Sequence, residues 1–380
     1  MRYHVRLACV ALLALVPLAL GDVDCDSGPV TPPAPERPPV TFDSARAFRD
    51  AEQMVAIGPR PAGSEGARKT QNYIIAQLES AGIVVRQDAF TASTPIGDLP
   101  MKNIMGILEG ERPGVIILGA HFDTKRIPGV TFVGANDGAA GTAAVLELAR
   151  AMSAAGKPRY TYWFVFFDGE EAVEEWSHED GIYGSRHLVS TLREQKLLSN
   201  VRAMILLDLI GDADLTVQKE STSYGKYREL FWKAARELGY GEYFLPDFVT
   251  VDDDHAPFAR AGIRSVNLID FMYGSREVPG KYWHTPGDTL ENISAKSLQI
   301  VGEVVIAALP RIERLINVVE TRSGYAPLLD DAAPAGAEAL PEAAGDDAVG
   351  ATLGVSEPET AEAPEPAEAR EPAPQAPEGE

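Results

Sequence analysis

Hydrophobic residues in this chain follow helical spacing in some stretches and form continuous apolar runs in others. Helical spacing begins at Phe42, and one face then carries Ala45, Phe48, Ala51, Met54 and Val55. A second amphipathic stretch carries Tyr73, Ile74, Leu78 and Ile83. Apolar runs of strand length cover residues 83–90, 102–108, 115–120, 162–167, 203–207 and 264–269. Further helices are predicted at residues 137–152, 184–197, 224–238 and 295–318, with a short one inside 251–262.

Strands and helices therefore alternate from residue 42 to residue 326 without a second linker, which predicts one α/β catalytic domain. Residues 22–41 are Pro-rich and aperiodic, as is typical of an extended linker. Residues 327–380 consist largely of Ala, Pro and Glu and contain almost no large apolar side chains. We expect this acidic tail to be disordered, because it cannot bury enough surface to offset the entropy of ordering.

Residues 1–21 have the features of a secretory signal peptide. Arg2 and Arg6 start the chain, an apolar run covers residues 8–20, and Gly21 ends a small-residue cleavage site. The run is too short for a good transmembrane span, so we expect an exported protein, periplasmic or secreted, with no integral membrane span. The alternative is a lipoprotein anchored through Cys25, although Asp24 stands where a small residue would be expected.

The negative charge of the chain is concentrated at one end. The formal net charge is -22, of which the acidic tail supplies -13 and the rest of the chain only -9. This balance argues against nucleic acid and anionic membrane surfaces as partners. Gly-rich phosphate-binding motifs and Cys-rich zinc spacings are absent from the sequence. The oligomeric state is left open.

The apolar run at residues 162–167 ends in Asp168 and Gly169 and is followed by two carboxylates, Glu170 and Glu171. Ligands bind at the carboxyl ends of strands in open α/β sheets. Neighbouring side chains at a strand end diverge, so one carboxylate can bind a metal while the other stays free for proton transfer. A solvated acidic loop is the alternative interpretation of the pair taken alone.

Other polar residues follow the remaining strands and helix starts in the same way. The predicted sheet-edge set is His121, Asp137, Glu171, Asp208 and His284. Taken singly, each has a simpler explanation: a strand-end or loop histidine, a helix N-cap for Asp137, a cap or turn for Asp208. Together, imidazoles and carboxylates suit zinc, and three ligands with an open position are the catalytic pattern.

Several neighbours could support such a site. Asp123 can orient the His121 imidazole. Residues 252–254, an Asp triplet, are either a solvated turn or drawn toward the core by the apolar residues after His255. Trp176 and Trp283 are either core aromatics or pocket walls, and Trp283 is adjacent to a proposed ligand.

The motifs HFD, GANDG, DGEEA, LLD and WH, in this order, resemble the zinc-dependent aminopeptidases. The sequence is more similar to their glutaminyl-peptide cyclotransferase branch in DGEEAVEEWSHEDGIYGSRHL, LLDLIGD, DDDHAPFARAGI and YWHTPGDTLENI. The resemblance extends from about residue 60 to residue 315 and implies a single domain with a mixed central β-sheet flanked by helices on both faces. It also implies peptide or protein substrates with a free N-terminus.

The resemblance implies a role for each matching residue. It makes Asp137, Glu171 and His284 the ligands of one zinc ion. Glu170 becomes the acid/base residue, with Asp208 and Asp253 as its hydrogen-bonding network. Trp176 and Trp283 become walls of the substrate pocket. His121 and Asp208 match ligands of the two-metal aminopeptidases, so a second metal at these residues stays open.

Two departures from the animal cyclases stand out. Ala120 and Thr142 occupy the positions of a cysteine pair, and Asp252 stands where those proteins have Gln. The implied reaction converts an N-terminal Gln to pyroglutamate and releases ammonia. The rival is a secreted zinc aminopeptidase with two metals, in which Glu170 activates a metal-bound water. A secreted binding module without turnover is the third alternative, which the free carboxylate of Glu170 disfavours.

Overall fold

The computed structural model describes residues 38–322, and one eight-stranded sheet forms its centre. The strands are β1 (Val84–Thr94), β2 (Gly97–Leu108), β3 (Arg112–His121), β4 (Tyr160–Phe167), β5 (Val201–Asp208), β6 (Val217–Glu220), β7 (Phe244–Val249) and β8 (Ser265–Ile269). Their order is β1-β2-β4-β3-β5-β8-β6-β7. Strands β4, β3, β5 and β8 are parallel, whereas β2 pairs antiparallel with β1 and β4, and β6 with β8. The sheet is mixed, as predicted.

Seven α-helices pack around this sheet in the described part of the chain. They are α1 (Ser44–Ile57), α2 (Glu65–Ser80), α3 (Gly141–Ala154), α4 (Tyr183–Glu194), α5 (Gly225–Glu237), α6 (His255–Arg260) and α7 (Ala295–Arg322). Adjacent residues of β4 show that both faces are covered. Phe166 joins the main apolar cluster with residues of α2, α3, α5 and α7, whereas Phe167 packs against Phe258 of α6. The prediction of helices on both faces is confirmed.

The predicted elements are present, and their bounds differ by a few residues. Helix α1 begins after Asp43, whose carboxylate accepts a hydrogen bond from Arg46 N, so Phe42 precedes the helix. Its buried face uses Ala47 and Asp50 in addition to Ala51 and Met54, while Ala45 is exposed. Helix α2 ends at Ser80. Ile83 therefore lies beyond the helix on which its spacing placed it.

Strands β6 and β7 were not predicted. Strand β6 has four residues, three of them polar, so it shows neither an apolar run nor alternation. Strand β7 contains Pro246 and lies at the edge of the sheet, where proline is tolerated. Strand β6 is defined by its pairing with β8, and β7 by its pairing with β6. Both pairings depend on tertiary structure.

Several predictions concern the chain ends. The signal peptide, Cys25, most of the linker and the acidic tail lie outside the described residues, so export and the domain bounds stay predictions. Within residues 38–322, no helix combines the length and apolar character that crossing a membrane requires.

Candidate active site

The parallel strands bring the predicted site residues to one edge of the sheet. His121 is the last residue of β3 and Asp208 the last residue of β5, while Glu170 and Glu171 follow β4 closely. Because these three strands are neighbours and run in the same direction, their carboxyl ends meet at one edge. All four residues are largely buried, with 2–9% of each exposed.

Asp137, Glu171 and His284 form one compact group. His284 Nε2 lies 3.1 Å from Glu171 Oε1 and 3.4 Å from Asp137 Oδ2. One ligand atom from each residue lies within 4.8 Å of the others. Asp137 Oδ2 is buried and accepts no hydrogen bond from the described residues. Two carboxylates and one imidazole converging on a point fit zinc with an open coordination position.

His121, Asp137 and Asp208 form a second group on the other side of Asp137. His121 Nε2 lies 3.3 Å from Asp137 Oδ1 and 3.2 Å from Asp208 Oδ1. These three ligand atoms also lie within 4.8 Å of one another. Burial would lower the pKa of His121, but hydrogen bonds with the surrounding carboxylates hold it well above its usual value. Asp137 belongs to both groups, as a ligand shared by two metals would.

Asp123 holds the two adjacent glutamates in place. Its Oδ1 accepts a hydrogen bond from Glu170 N at 3.1 Å and its Oδ2 one from Glu171 N at 3.3 Å. Asp123 Oδ1 also lies 3.5 Å from Nδ1 of His121, the imidazole that the sequence analysis expected it to orient. One buried carboxylate therefore fixes the backbone of the glutamate pair and faces the neighbouring imidazole.

Glu170 differs from Glu171 in its surroundings. Glu171 faces His284, whereas Glu170 belongs to neither compact group. Burial and the nearby charges of Asp253 and Glu171 raise the pKa of Glu170 well above its usual value. A carboxyl group whose pKa is raised in this way is suited to general acid and base work.

Asp253 lies in the buried part of the acidic triplet, as does Asp254. Asn267 Nδ2 donates to Asp253 Oδ2 at 2.7 Å, and burial together with the charge of Asp208 raises the pKa of Asp253 to about 7. Asp252, in contrast, lies near the surface and pairs with Arg260 at 2.9 Å. The triplet thus has one member turned toward the site and one turned toward solvent.

The backbone around Asp137 corrects the expectation of a helix N-cap. The segment Ala135–Ala140 is a single irregular turn, in which Asp137 has φ -83° and ψ 95° and Gly138 has φ 94°. A Cβ at Gly138 would lie 2.5 Å from Asp123 O, so only glycine fits this close approach. Helix α3 starts after this kink, at Gly141. The Asp137 side chain can therefore face the site because its backbone leaves helical geometry.

Asp288 connects the Asp137 segment to the loop that carries His284. Its carboxylate accepts hydrogen bonds from Asn136 N at 2.7 Å, Asp137 N at 3.0 Å and Tyr273 Oη at 2.9 Å. Burial and the charge of Asp137 raise its pKa to about 7. The sequence analysis missed Asp288; its position four residues after His284 was the available signal.

Arg60 is a fully buried arginine that the sequence analysis also missed. Its guanidinium donates five hydrogen bonds of 2.6–3.3 Å to the backbone carbonyls of Met54, Gly58, Phe122, Val133 and Gly134. Burial lowers its pKa to about 10, and the charges of Asp288, Asp123 and Asp137 oppose that shift. An arginine within the Gly- and Pro-rich break between α1 and α2 was the only signal in the sequence. Arg60 ties together the backbones that precede Asp123 and Asp137.

The two predicted pocket tryptophans lie on different loops. The Trp283 ring stacks on the His284 imidazole with centroids 3.8 Å apart and packs edge-on against Phe271. His284 itself has φ 54°, in the left-handed region that non-glycine residues rarely adopt. Trp176 lies on the segment after Glu171, and 43% of it is exposed. Their role as pocket walls stays a prediction.

Thr142 and Ala120 stand where the animal cyclases have cysteines. Thr142 Oγ1 donates a hydrogen bond of 2.7 Å to His121 O, and both Thr142 and Ala120 are fully buried. A hydrogen bond thus connects α3 to the end of β3 at this position.

Comparisons with known proteins identify the family of this chain. Residues 103–309 match peptidase family M28. A glutaminyl-peptide cyclotransferase of Drosophila melanogaster is 31% identical over 266 residues, which cover 63% of this chain and 73% of the relative.

Solved structures extend the likeness to the fold. A glutaminyl cyclase from an Acidobacteriales bacterium superimposes with a TM-score of 0.70 at 35% identity, covering 75% of this chain and 99% of that one. A Zn-dependent exopeptidase from Parabacteroides distasonis superimposes with a TM-score of 0.64 at 27% identity, covering 70% and 97%. The chain therefore belongs to peptidase family M28, in its glutaminyl-peptide cyclotransferase branch.

Proposed function

We propose that this chain is a zinc-dependent glutaminyl-peptide cyclotransferase that converts an N-terminal Gln of peptides or proteins to pyroglutamate. The observation that carries the proposal is the division of the glutamate pair. Glu171 joins Asp137 and His284 in a group with the donor atoms of a zinc site, and Glu170 remains outside that group with a raised pKa. The adjacent residues thus provide a metal ligand and a separate proton carrier.

The proposed reaction is an intramolecular aminoacyl transfer. The α-amine nitrogen of the N-terminal Gln attacks its own γ-amide carbon, a C–N bond forms, and the bond to the amide nitrogen breaks. Glu170 accepts the proton from the attacking amine and delivers it to the leaving nitrogen, which departs as ammonia. A free α-amine has a pKa of about 7.7–8, so much of the substrate is already a neutral nucleophile at mildly alkaline pH.

Asp137, Glu171 and His284 would hold the metal, and zinc, when bound there, supplies Lewis acidity toward the γ-carbonyl oxygen. Asp123 keeps Glu170 and Glu171 at fixed positions through their backbone N–H groups. The negative charge of Asp253 raises the pKa of Glu170, which strengthens Glu170 as a proton acceptor, and Asp208 in turn raises the pKa of Asp253. We further propose that Trp176 and Trp283 receive the Gln side chain and limit the access of water.

The direct test is to incubate the purified protein with Gln-Ala and Leu-Ala dipeptides and to follow the products by mass spectrometry. We expect loss of ammonia from Gln-Ala, its abolition by a zinc chelator and recovery after zinc is restored. Leu-Ala should remain intact. Release of free leucine, or intact Gln-Ala after prolonged incubation with zinc-loaded protein, would contradict the proposal.

A two-metal aminopeptidase is the second candidate, because His121, Asp137 and Asp208 also meet within coordination range. In that case Glu170 would act as base toward water. Measuring zinc per protein chain separates the candidates when it is combined with the dipeptide assay. One zinc with cyclisation supports the first, whereas two zinc ions with release of leucine support the second.

A further inference from the structure

The segment of residues 172–182 leaves the site directly after Glu171 and returns to it. Ile182 N donates to Glu170 O at 2.7 Å, and Tyr183 N donates to Gly169 O at 2.8 Å. At its base, Val173 and Tyr183 are buried in an apolar cluster with Met101, whereas residues 174–179 are exposed. We call this segment the tryptophan loop, since its exposed part carries Trp176. The loop therefore has an anchored base and a tip that needs separate support.

Asp180 provides that support from inside the loop. Only 3% of Asp180 is exposed. Its Oδ1 accepts hydrogen bonds from Val173 N at 2.7 Å and Tyr183 Oη at 2.8 Å, and its Oδ2 accepts from Glu174 N at 2.9 Å and Glu175 N at 3.0 Å. Hydrogen bonds to an ionised acceptor are stronger than those between neutral groups. The backbone leading into Trp176 is thus fastened to one carboxylate.

Gly181 supports the ring itself. Its φ is 128°, a backbone conformation that residues other than glycine rarely adopt. A Cβ placed there would lie 3.0–3.3 Å from three carbon atoms of the Trp176 ring. The ring therefore lies directly against the backbone at Gly181, and 43% of Trp176 is exposed.

We propose that Asp180 and Gly181 are positioning residues that hold Trp176 ready for the side chain of the N-terminal residue of the substrate. The inference rests on the proposed function and goes beyond it, because it assigns substrate affinity to two residues that touch neither metal nor substrate. A ring fixed before binding loses little conformational freedom when the substrate arrives, so its contact contributes fully to affinity. Loss of the support weakens binding and leaves the proton transfer at Glu170 intact.

The kinetic test uses Asp180→Asn, which keeps the shape of the side chain but turns an NH₂ group toward backbone N–H donors. We expect KM for Gln-Ala to rise about tenfold with kcat within about twofold, the pattern of lost binding common to ground state and transition state. Zinc content should stay unchanged. The matched control is Glu175→Gln, which removes a charge from the same loop but keeps the backbone donor, and its kinetics should equal those of the wild type.

A spectroscopic test follows the ring directly. The chain has four tryptophans, so fluorine NMR of protein labelled with fluorotryptophan gives few signals, and Trp176→Phe assigns the relevant one. Asp180→Asn and Gly181→Ala should each shift or broaden the Trp176 signal and leave the other three in place. Gly181→Ala should also raise KM, because its methyl group pushes the ring from its position.

The proposal requires both results. An unmoved Trp176 signal in the two variants, an unchanged KM, or a fall in kcat at constant KM would each overturn it. If the wild-type protein fails to cyclise Gln-Ala, the proposed function fails, and the NMR comparison alone then decides whether Asp180 and Gly181 position the ring.

Discussion

The sheet edge and the loops around it hold the site in two different ways. His121 and Asp208 end neighbouring parallel strands, where ladder hydrogen bonds fix the backbone. Trp176 and His284 lie on loops. There, buried carboxylates that accept hydrogen bonds from backbone N–H groups fix the segments instead: Asp180 in the first loop and Asp288 in the second. The first arrangement distributes support over many hydrogen bonds, whereas the second concentrates it on one or two side chains.

This difference separates chemistry from recognition. Glu170 and Glu171 follow the end of β4, and the strand end together with the Asp123 carboxylate leaves their backbone little freedom. This suits groups that must meet reacting atoms within a few tenths of an ångström. Trp176 lies on a loop whose backbone N–H groups are held by one carboxylate, Asp180, while Lys125 and Arg186 donate to carbonyl groups of the same loop. Substitutions at the sheet edge should therefore affect turnover, and substitutions of the loop carboxylates should affect binding of metal or substrate.

The largest expected effect is at the sheet edge. Glu170→Gln removes the proton carrier while it keeps the volume of the side chain, and we expect kcat for Gln-Ala to fall about 10²–10⁴-fold. Zinc content and the midpoint of thermal unfolding should match the wild type, with Glu175→Gln as the charge control. A kcat within about threefold of wild type would show that another group moves the proton.

The backbone support of the sheet edge should also have a large effect on stability. Arg60→Met removes a buried guanidinium that donates to five backbone carbonyl groups, and we expect the free energy of unfolding to fall by about 3 kcal/mol or more. Urea unfolding measures it. The surface variant Arg68→Met, whose partner Glu65 is exposed, should leave the free energy of unfolding close to that of the wild type. Equal changes in the free energy of unfolding would mean that the buried guanidinium of Arg60 stabilises the fold no more than the exposed one of Arg68.

A smaller effect is expected where the two regions meet. Asp288→Asn weakens the connection between Asp137 N and the loop of His284, and we expect the dissociation constant for zinc to rise about 10–100-fold. Competition with a fluorescent chelator measures this constant. Asp270→Asn is the control, because Asp270 is buried in the same loop but accepts hydrogen bonds from Thr216. Weaker zinc binding in both variants would indicate general loosening of the loop.

The smallest effect concerns a carboxylate remote from the metal group. Burial would raise the pKa of Glu220, but hydrogen bonds with His255, Thr222 and Ser223 lower it to about 2. Its contribution to stability is therefore complete above pH 4.5 and is lost as the pH falls toward 2. Glu220→Gln should cost about 1–2 kcal/mol at pH 7 and progressively less at lower pH. Urea unfolding at several pH values tests this, and a pH-independent difference would contradict it.

The comparison also explains which features could be predicted from the sequence. The apolar runs of β3, β4 and β5 locate His121, Glu171 and Asp208, since the end of a strand fixes where its last and next residues lie. Asp180 and Asp288 had no such signal, because their partners are backbone N–H groups whose directions depend on the folded loops. Strand β6 could not be predicted for a related reason, because its pairing with β8 exists only after the chain has folded.

The hydrogen bond from Thr142 to His121 O has a practical consequence. Residues 38–322 contain no cysteine, and α3 is connected to β3 by a hydrogen bond. Reductants therefore cannot break this connection, and oxidants cannot form a wrong disulfide within these residues. Refolding of this region from denaturant needs no oxidase and no disulfide isomerase. Protein made in a reducing cytoplasm should therefore contain the same site as protein made in an oxidising compartment.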